Sequence, residues 1–437
     1  MISCPNCGGN LKFNISAQQL SCENCETQMD PYAFDHKDSD AEMQQEYDVT
    51  IFTCPQCGGE ILSTDNSAAE FCSFCGASTI LYPRISHEKR PRYIIPFQKT
   101  KEDCKQAYGS MMKRAFFAPD ALKSPDYIDG FRGIYMPYWI FHMTQNHPFS
   151  LRGARTHRRG DYVYTDHFSL HGTLDASYKG LSYDASSSFD DTISQKIAPY
   201  DVKNIKDFTP GFLSGFYADT ADVPSSQYEK EAERIAYDTS IKKMYGSFAG
   251  LQIETLPSQD LVHTKTESVD SSMFPVWFMS YRNGDRVAYT TINGQTGRIV
   301  MDLPIDPKKY LIGSLLLAVP IFLLLNLMFT VLPSTVLTIT AVLALISMII
   351  YFSEFGKIKA KEPVKLKPLG LIAAIGSIAI WAILMFLQPA SDLFYYGGAI
   401  VGLIGIFLTI KDIISYYNIM ATRRLPQFDR KGGDDRA

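Results

Sequence analysis

The sequence predicts a multidomain protein with small β units at the N-terminus, an α+β middle domain and a C-terminal transmembrane region of four helices. Three observations support this fold class. Eight of the nine cysteines form four Cys-x-x-Cys pairs near the N-terminus. Residues 90–303 mix the apolar periodicities of helices and strands. No charged residue occurs between Lys309 and Glu354, a run too long for an ordinary buried core helix.

The cysteine pairs form two sets, and the second repeats the first at an offset of 50 residues. Each set opens with Cys-Pro-x-Cys-Gly-Gly, and fourteen residues separate its two pairs. Four thiolates make a closed tetrahedral Zn²⁺ site with no open position for a substrate. We therefore expect tandem zinc ribbons at residues 1–30 and 51–82, with two structural Zn²⁺ ions. The expected ligands are Cys4, Cys7, Cys22 and Cys25 in the first ribbon, and Cys54, Cys57, Cys72 and Cys75 in the second.

The composition of the ribbons bears on what they bind. A thioredoxin-like redox role would need one Cys-x-x-Cys at the start of a helix, not four on hairpins. The first hairpin contains only one basic residue, Lys12, and the second contains none. This favours contact with protein over contact with DNA. Residues 31–50 between the ribbons are acidic and polar, and we interpret them as a linker.

The middle domain begins with a capped helix. Thr100 and Asp103 have the spacing of a capping box, and Pro119 and Pro125 should end the helix. A second helix should begin at a cap formed by Ser226 and Glu229, with Tyr228, Ala232, Ile235 and Ala236 on its apolar side. The predicted apolar face of the first helix consists of Cys104, Tyr108, Met111, Met112 and Ala115.

Each of these helices is followed by a Pro-x-Trp strand, Met136–Phe141 after the first and Phe274–Met279 after the second. The recurrence predicts a duplicated unit of a helix plus strands. Asn283-Gly284 suits a two-residue hairpin turn, and residues 293–297 suit another turn.

Residues 149–171 form a basic and aromatic stretch, whose turn we place at Arg159-Gly160-Asp161. Three interpretations stay open: a solvated hairpin, a surface for lipid or protein, and a surface for nucleic acid. Asp184, Asp190 and Asp191 lie among serines in what reads as a loop. The chain contains no phosphate-binding loop and no protease or hydrolase motif, so we expect no enzyme activity and no small-molecule substrate. The basic and aromatic residues of the stretch are Arg152, Arg155, His157, Arg158, Arg159, Tyr162, Tyr164 and His167.

Residues 310–410 should cross the membrane four times, as two helical hairpins broken near Pro333 and Pro389. We expect helices at about Tyr310–Leu332, Ser334–Phe352, Leu369–Gln388 and Leu393–Ile410. Lysine and arginine residues lie just before the first helix, in the loop between the second and third helices and in the 411–437 tail, whereas the other two loops contain none. This asymmetry predicts a multi-pass cell-membrane protein with both termini and the basic tail in the cytoplasm.

Five motifs occur together in this chain: Cys4-Pro-Asn-Cys-Gly-Gly9, Ile95-Pro-Phe97, Gly133–Trp139, Phe274-Pro-Val-Trp277 and Asn293–Gly297. Their combination, ahead of membrane helices, resembles a family of bacterial zinc-ribbon membrane proteins, often labelled TFIIB-type zinc ribbon or PriA-like. Some relatives in that family are associated with phage-shock-protein-A-like and SPFH membrane-stress proteins, so the resemblance implies cytoplasmic protein partners. This chain lacks a helicase motor, so we expect no helicase activity.

These features together predict a non-enzymatic adaptor or scaffold that the lipid bilayer anchors and that binds cytoplasmic proteins. The alternative is a membrane-tethered nucleic-acid-binding protein, which the low basicity of the ribbons disfavours. A transporter or channel is a third class. The predicted helices carry none of the ionisable residues that usually mark an ion path.

Overall fold

The computed structural model describes residues 2–34, 46–63, 72–77, 82–248, 250–253, 257–259, 262–328 and 332–428. It confirms the predicted fold class. A small N-terminal β region carries two four-cysteine clusters, a large sheet with helices forms the middle, and apolar helices end the chain.

The first ribbon is a separate antiparallel sheet of three short strands, β1 (Leu11–Asn14), β2 (Gln19–Cys22) and β3 (Gln28–Met29). Leu11 and Phe13 alternate with more exposed neighbours, as expected for strands with one buried face. The sheet packs on the 3-10 turn Pro210–Leu213 of the middle domain, where Phe13 contacts Phe212 edge to face at 5.2 Å.

The second ribbon belongs to the large sheet. Its strands are β4 (Glu46–Thr53), β5 (Glu60–Ser63) and β6 (Tyr82–Lys89), and β4 lies between the other two. β4 therefore begins inside the segment predicted as a linker, and β6 runs past the predicted end of the ribbon at residue 82. Residues 35–45, 64–71 and 78–81 lie outside the described residues, and so does most of the predicted linker.

The middle domain contributes most of the large sheet. Two long antiparallel hairpins, β8 with β9 and β13 with β14, lie side by side because β8 also pairs with β13. Its elements are β7 (Tyr93–Ile94), α1 (Lys101–Met112), α2 (Pro125–Ile128), β8 (Arg132–Arg159), β9 (Tyr162–Asp184), α3 (Asp191–Ile197), β10 (Lys206–Asp207), β11 (Tyr217–Ala218), α4 (Glu229–Ser247), β12 (Gln252–Ile253), β13 (Thr264–Asn283), β14 (Arg286–Asn293) and β15 (Ile299–Met301).

The predicted start of α1 is confirmed. Thr100 and Asp103 form the predicted capping box, and Cys104, Tyr108 and Met112 are buried. Met111 is exposed, so its assignment to the apolar face was wrong. The helix ends at Met112, before the first proline of that segment.

The predicted start of α4 needs a correction. Tyr228, not Ser226, is the N-cap residue, and no side chain caps this helix. Ser226 lies in a 3-10 turn that precedes the helix. Ala232 and Ala236 are buried as predicted, because they face β8 and β9 across a small apolar cluster.

The two Pro-x-Trp strands are direct neighbours in the sheet. Pro137 of β8 faces Met273, and Pro275 of β13 faces Tyr135, so the antiparallel register is symmetric about this point. β11 pairs in parallel with β8, and β7 pairs in parallel with β13. Each strand that precedes a helix therefore pairs with one of the two central strands.

The tryptophans follow the same symmetry. The Trp139 indole donates a hydrogen bond of 2.7 Å to the Val223 carbonyl, ahead of α4, and the Trp277 indole donates one of 2.8 Å to the Lys99 carbonyl, ahead of α1. The duplicated unit stays a prediction, and this geometry favours it because each half places its tryptophan against the helix start of the other half.

Four apolar helices follow: α5 (Pro307–Met328), α6 (Pro333–Lys361), α7 (Pro368–Leu387) and α8 (Asp392–Met420). Within the described residues, α6, α7 and α8 are long and apolar enough to cross a membrane. α6 and α8 run beyond the predicted bounds, so Lys357, Lys359 and Lys361 are helical rather than in a loop. The number of crossings and their orientation stay predictions.

One arginine, Arg286, joins the large sheet to the apolar helices. Arg286, at the start of β14, donates to the Glu362 carboxylate beyond α6 at 3.1 Å and to the Ile419 carbonyl in α8 at 2.8 Å. Arg423 and Arg424 form β16, which pairs with the first residues of β14. The segment predicted as a basic tail is thus partly sheet and partly the end of α8.

Candidate metal centres

The knuckles that carry the cysteines share one backbone design. The Cys4 amide donates to the Gly9 carbonyl and the Gly8 amide to the Cys4 carbonyl, at 2.7 and 2.8 Å. Equivalent bonds tie Cys54 to Gly58 and Gly59. Gly8 and Gly58 both have φ +73°, a left-handed conformation that favours glycine. This tight turn brings the two sulfurs of each pair to one side.

The structure brings the four predicted ligand sulfurs of each set together, all within 4.8 Å of one another. In the first set, Cys4 and Cys25 are 3.6 Å apart and Cys7 and Cys22 are 3.4 Å apart, measured between Sγ atoms. The corresponding Sγ distances in the second set are 3.8 and 3.7 Å. Four sulfurs about 2.3 Å from a zinc ion at tetrahedral angles lie about 3.8 Å apart.

Each four-cysteine group could therefore hold a metal ion, and the two groups fit a tandem pair of zinc ribbons. The donor set is chemically matched to a soft or borderline cation, because thiolates select Zn²⁺ over the hard cations Mg²⁺ and Ca²⁺. Four protein ligands would complete a tetrahedral shell, the usual form of a structural site.

The two sites differ in burial. In the first, Cys4 and Cys22 are buried while Cys7 and Cys25 are exposed. In the second, all four cysteines are buried. Phe52, Ile61 and Phe74 surround the second site in one apolar cluster.

Sequence reasoning missed a contribution from the C-terminal segment to the second site. After β16 the chain runs to the second ribbon, where the Phe428 amide donates to the Cys57 carbonyl at 2.7 Å. The Phe428 ring lies 5.6 Å from the Phe74 ring, edge to face. Leu425 also packs on this cluster. The hint in the sequence is that Leu425 and Phe428 are apolar residues within a mostly polar and charged segment, residues 422–437.

The ninth cysteine, Cys104, has no part in either site. It is buried in α1, and burial raises the pKa of its thiol to about 12. A thiol that stays protonated is a poor nucleophile and a poor metal ligand. Cys104 thus lies on the buried face of α1, as the helical pattern predicted.

The basic and aromatic stretch forms the end of the β8–β9 hairpin. Arg159 pairs with Tyr162 across the predicted turn, and Gly160 has φ +64°. In this register Arg155, His157 and Arg159 lie on one face of the β8–β9 hairpin, together with the β9 residues that pair with them. His157 stacks on Tyr164 at 5.6 Å, and the Arg155 guanidinium lies 5.8 Å from the Phe168 ring.

This hairpin end lies far from the apolar helices along the sheet. β8 pairs with β13 only from Arg132 to Gln145, and it then continues with β9. The other end of β13 turns at Gly284 toward Arg286, which contacts α8. The geometry disfavours contact between the basic stretch and the lipid surface at those helices.

Comparison with known proteins gives one informative relative. The chain is 28% identical over 313 residues to "Uncharacterized protein YdjG" of Bacillus subtilis (strain 168), an alignment that covers 70% of this chain and 90% of the relative. The name of that relative states no activity. No protein-family model matches the chain, and no solved structure matches it.

Proposed function

We propose that the protein is a non-enzymatic membrane adaptor, in which the apolar helices supply the anchor and the ribbons present a binding surface to cytoplasmic proteins. Zn²⁺ would be held by Cys4, Cys7, Cys22 and Cys25 in one site and by Cys54, Cys57, Cys72 and Cys75 in the other. In this proposal the metal holds each ribbon in shape and has no open position for a substrate.

The observation that best supports the proposal is the unequal attachment of the two ribbons. The second is joined to the large sheet through β5 and β11, and Phe428 joins it to the end of α8. The first keeps a separate sheet and leaves Cys7 and Cys25 exposed. An adaptor needs one part fixed to its anchor and another part open to partners.

The full-length chain in its own membrane tests this role. Deleting residues 2–30 should leave the protein in the membrane fraction and lose at least one protein recovered by crosslinking and affinity purification. Phage-shock-protein-A-like and SPFH proteins are the partners that we expect there. Cys104→Ala is the matched control, because it removes a cysteine outside both sites and should retain every partner. Recovery of the same partners with and without the ribbon would contradict the proposal.

Orientation can be tested separately. We propose that both termini are cytoplasmic, on the lysine and arginine asymmetry of the segments that flank the helices. A cysteine at Ser391 should react with an impermeant thiol reagent in intact cells, and a cysteine at Lys359 should not. Both positions are exposed, so burial does not bias the comparison. The reverse labelling would place the ribbons outside the cytoplasm.

A second candidate function is binding of single-stranded nucleic acid at the end of the β8–β9 hairpin. The specific observation is the shared face of Arg155, Arg159 and the exposed rings of Tyr162 and Tyr164. Arginine can contact phosphate and aromatic rings can stack on bases. Fluorescence anisotropy with a labelled oligonucleotide should then show binding that falls steeply with salt. Changing both arginines to alanine should abolish it, and unchanged binding would exclude this surface.

A further inference from the structure

A cavity that none of the metal-site cysteines lines contains polar atoms without hydrogen-bond partners among the described residues. It has a volume of about 330 Å³ and lies between β9, α3 and α4. Asp184, the last residue of β9, is 3% exposed, and its Oδ1 has no hydrogen-bond partner among the described residues. The buried hydroxyl of Tyr183 also lacks a partner there. Unpaired buried polar atoms are costly, so they commonly mark a bound water, ion or ligand.

The sequence placed Asp184 in a loop, and the structure corrects this. β9 continues to Asp184, which pairs with Tyr138 of β8. Asp190 and Asp191 follow at the start of α3, where the Asp190 carboxylate accepts a hydrogen bond from the Ile193 amide. The alternation of polar and apolar residues that signals a strand is lost in this serine-rich segment.

The position of Asp184 has an equivalent in the other half of the sheet, at Asn293. Asn293 ends β14 opposite Val276, as Asp184 ends β9 opposite Tyr138. Asn293 is fully buried, and its amide donates to the Ile197 carbonyl and accepts from the Gln295 and Thr296 amides. One half of the sheet thus places a neutral, paired side chain where the other half places an acid with an unpaired oxygen.

The charges around the cavity favour a cation. Glu231 of α4 forms an ion pair with Arg234, so these two charges offset each other. Asp190 pairs with Arg423. Asp191 accepts a hydrogen bond of 3.4 Å from the Tyr228 hydroxyl and is exposed to solvent. The buried Asp184 therefore lines the cavity without a matching positive charge among the described residues, and the exposed Asp191 adds a second carboxylate to the lining.

Other groups that line the cavity are hydrogen-bond acceptors. Tyr183 stacks on Tyr228 at 5.1 Å, and Tyr138 stacks on Phe274 and is hydrogen-bonded to Ser194 at 2.8 Å. Carboxylates and hydroxyls accept hydrogen bonds, and an ammonium group has three N–H donors to match them. Because Mg²⁺ can also be held by one or two carboxylates together with waters, the binding test includes Mg²⁺ as a competing cation.

We propose that this cavity binds a small primary amine, whose ammonium group donates hydrogen bonds to Asp184. The site would be independent of the metal centres and of the adaptor role. Because Asn293 occupies the equivalent position in the other half, the acid at 184 is a feature of the site rather than a need of the fold.

The binding should depend on pH in a defined direction. Burial raises the pKa of Asp184 to about 7. Asp191 and Asp190 nearby also disfavour the charged form. Alkylamines stay protonated well above that pH, as lysine does. Amine affinity should therefore rise as the pH increases through about 7, because Asp184 loses its proton there.

The test uses the purified full-length protein in detergent and follows binding of 1,4-diaminobutane by calorimetry at about pH 8 and about pH 5.5, on either side of the carboxyl titration. The wild type should bind more tightly at the higher pH. Asp184→Asn should lose at least about tenfold in affinity, because a hydrogen bond to a charged group is replaced by one to a neutral amide. Asp175→Asn is the matched control, because Asp175 is an exposed acid on the same strand outside the cavity. It should bind as the wild type does.

Further probes identify the chemistry of the ligand. Tetramethylammonium has the charge without N–H donors, and Mg²⁺ is a metal cation, so both should bind more weakly than the diamine. Equal or tighter binding of either would overturn the assignment to an amine. No diamine binding by the wild type at the higher pH, or equal binding by Asp184→Asn, would overturn the proposal itself.

Discussion

The two ribbons share a sequence motif and differ in what surrounds it. The first knuckle of each set has the same backbone hydrogen bonds and a glycine with the same left-handed φ, and both sets gather four sulfurs. The first packs on the middle domain as a separate three-stranded sheet, and two of its cysteines are exposed. The second is part of the large sheet, and the chain beyond α8 covers it. We infer that the motif determines where a metal can bind, and we expect the surroundings of each site to determine how firmly the metal is held.

The largest expected effect comes from removing one ligand in each ribbon. Cys54→Ser should destabilise the large sheet as a whole, on the order of 5 kcal/mol or more, because the strands of the second ribbon belong to that sheet. Cys4→Ser should unfold only the first ribbon. Zinc analysis should give one ion per chain for Cys4→Ser, and thermal unfolding should separate the two variants. Equal loss of stability in both would mean that the second ribbon is no better integrated than the first.

A matched pair of glycines tests the cover over the second site. Gly8 and Gly58 have the same φ, so alanine at either position costs about 1 kcal/mol in strain. A Cβ at Gly8 would meet nothing within 4 Å, whereas a Cβ at Gly58 would lie 2.2 Å from the Phe428 carbonyl oxygen. Gly58→Ala should therefore cost more than Gly8→Ala in chemical denaturation, and similar costs would show that the C-terminal segment does not lie against this knuckle.

The smallest expected effect concerns the Phe428 side chain. Phe428→Ala should cost about 1–2 kcal/mol, because the ring is partly buried against Phe74. The loss of stability should be local to the second site and should appear as faster metal release from Cys54, Cys57, Cys72 and Cys75. Phe116→Ala is a suitable control because Phe116 is 76% exposed. If the two variants release metal alike, the ring has no role at the site.

Much of this arrangement could be predicted from local sequence patterns. The cysteine spacing, the capping box at Thr100 and the apolar helices are all short-range signals. The structure gathers the cysteines and forms the capping box as predicted, and it contains the apolar helices, although α6 and α8 extend beyond their predicted ends. The same reasoning failed at Ser226, since a 3-10 turn and Tyr228 precede the helix there.

The features that were missed depend on long-range contacts. Phe428 reaches Cys57 across most of the length of the chain, and nothing local to either residue signals that contact. Asp184 looks like a loop residue beside serines, and its burial arises only when α3 and α4 cover the end of β9. A prediction of such sites needs the pairing of β8 with β13, which the repeated Pro-x-Trp pattern suggests but does not specify.

The rate of zinc release from the two sites tests the central claim most directly. Full-length protein loaded with zinc is mixed with an excess of a chromogenic chelator, and release is followed over time. The account predicts two phases of equal amplitude, with the fast phase absent from Cys4→Ser because the exposed first site exchanges first. A single phase, or a fast phase that persists in Cys4→Ser and is absent from Cys54→Ser, would contradict it.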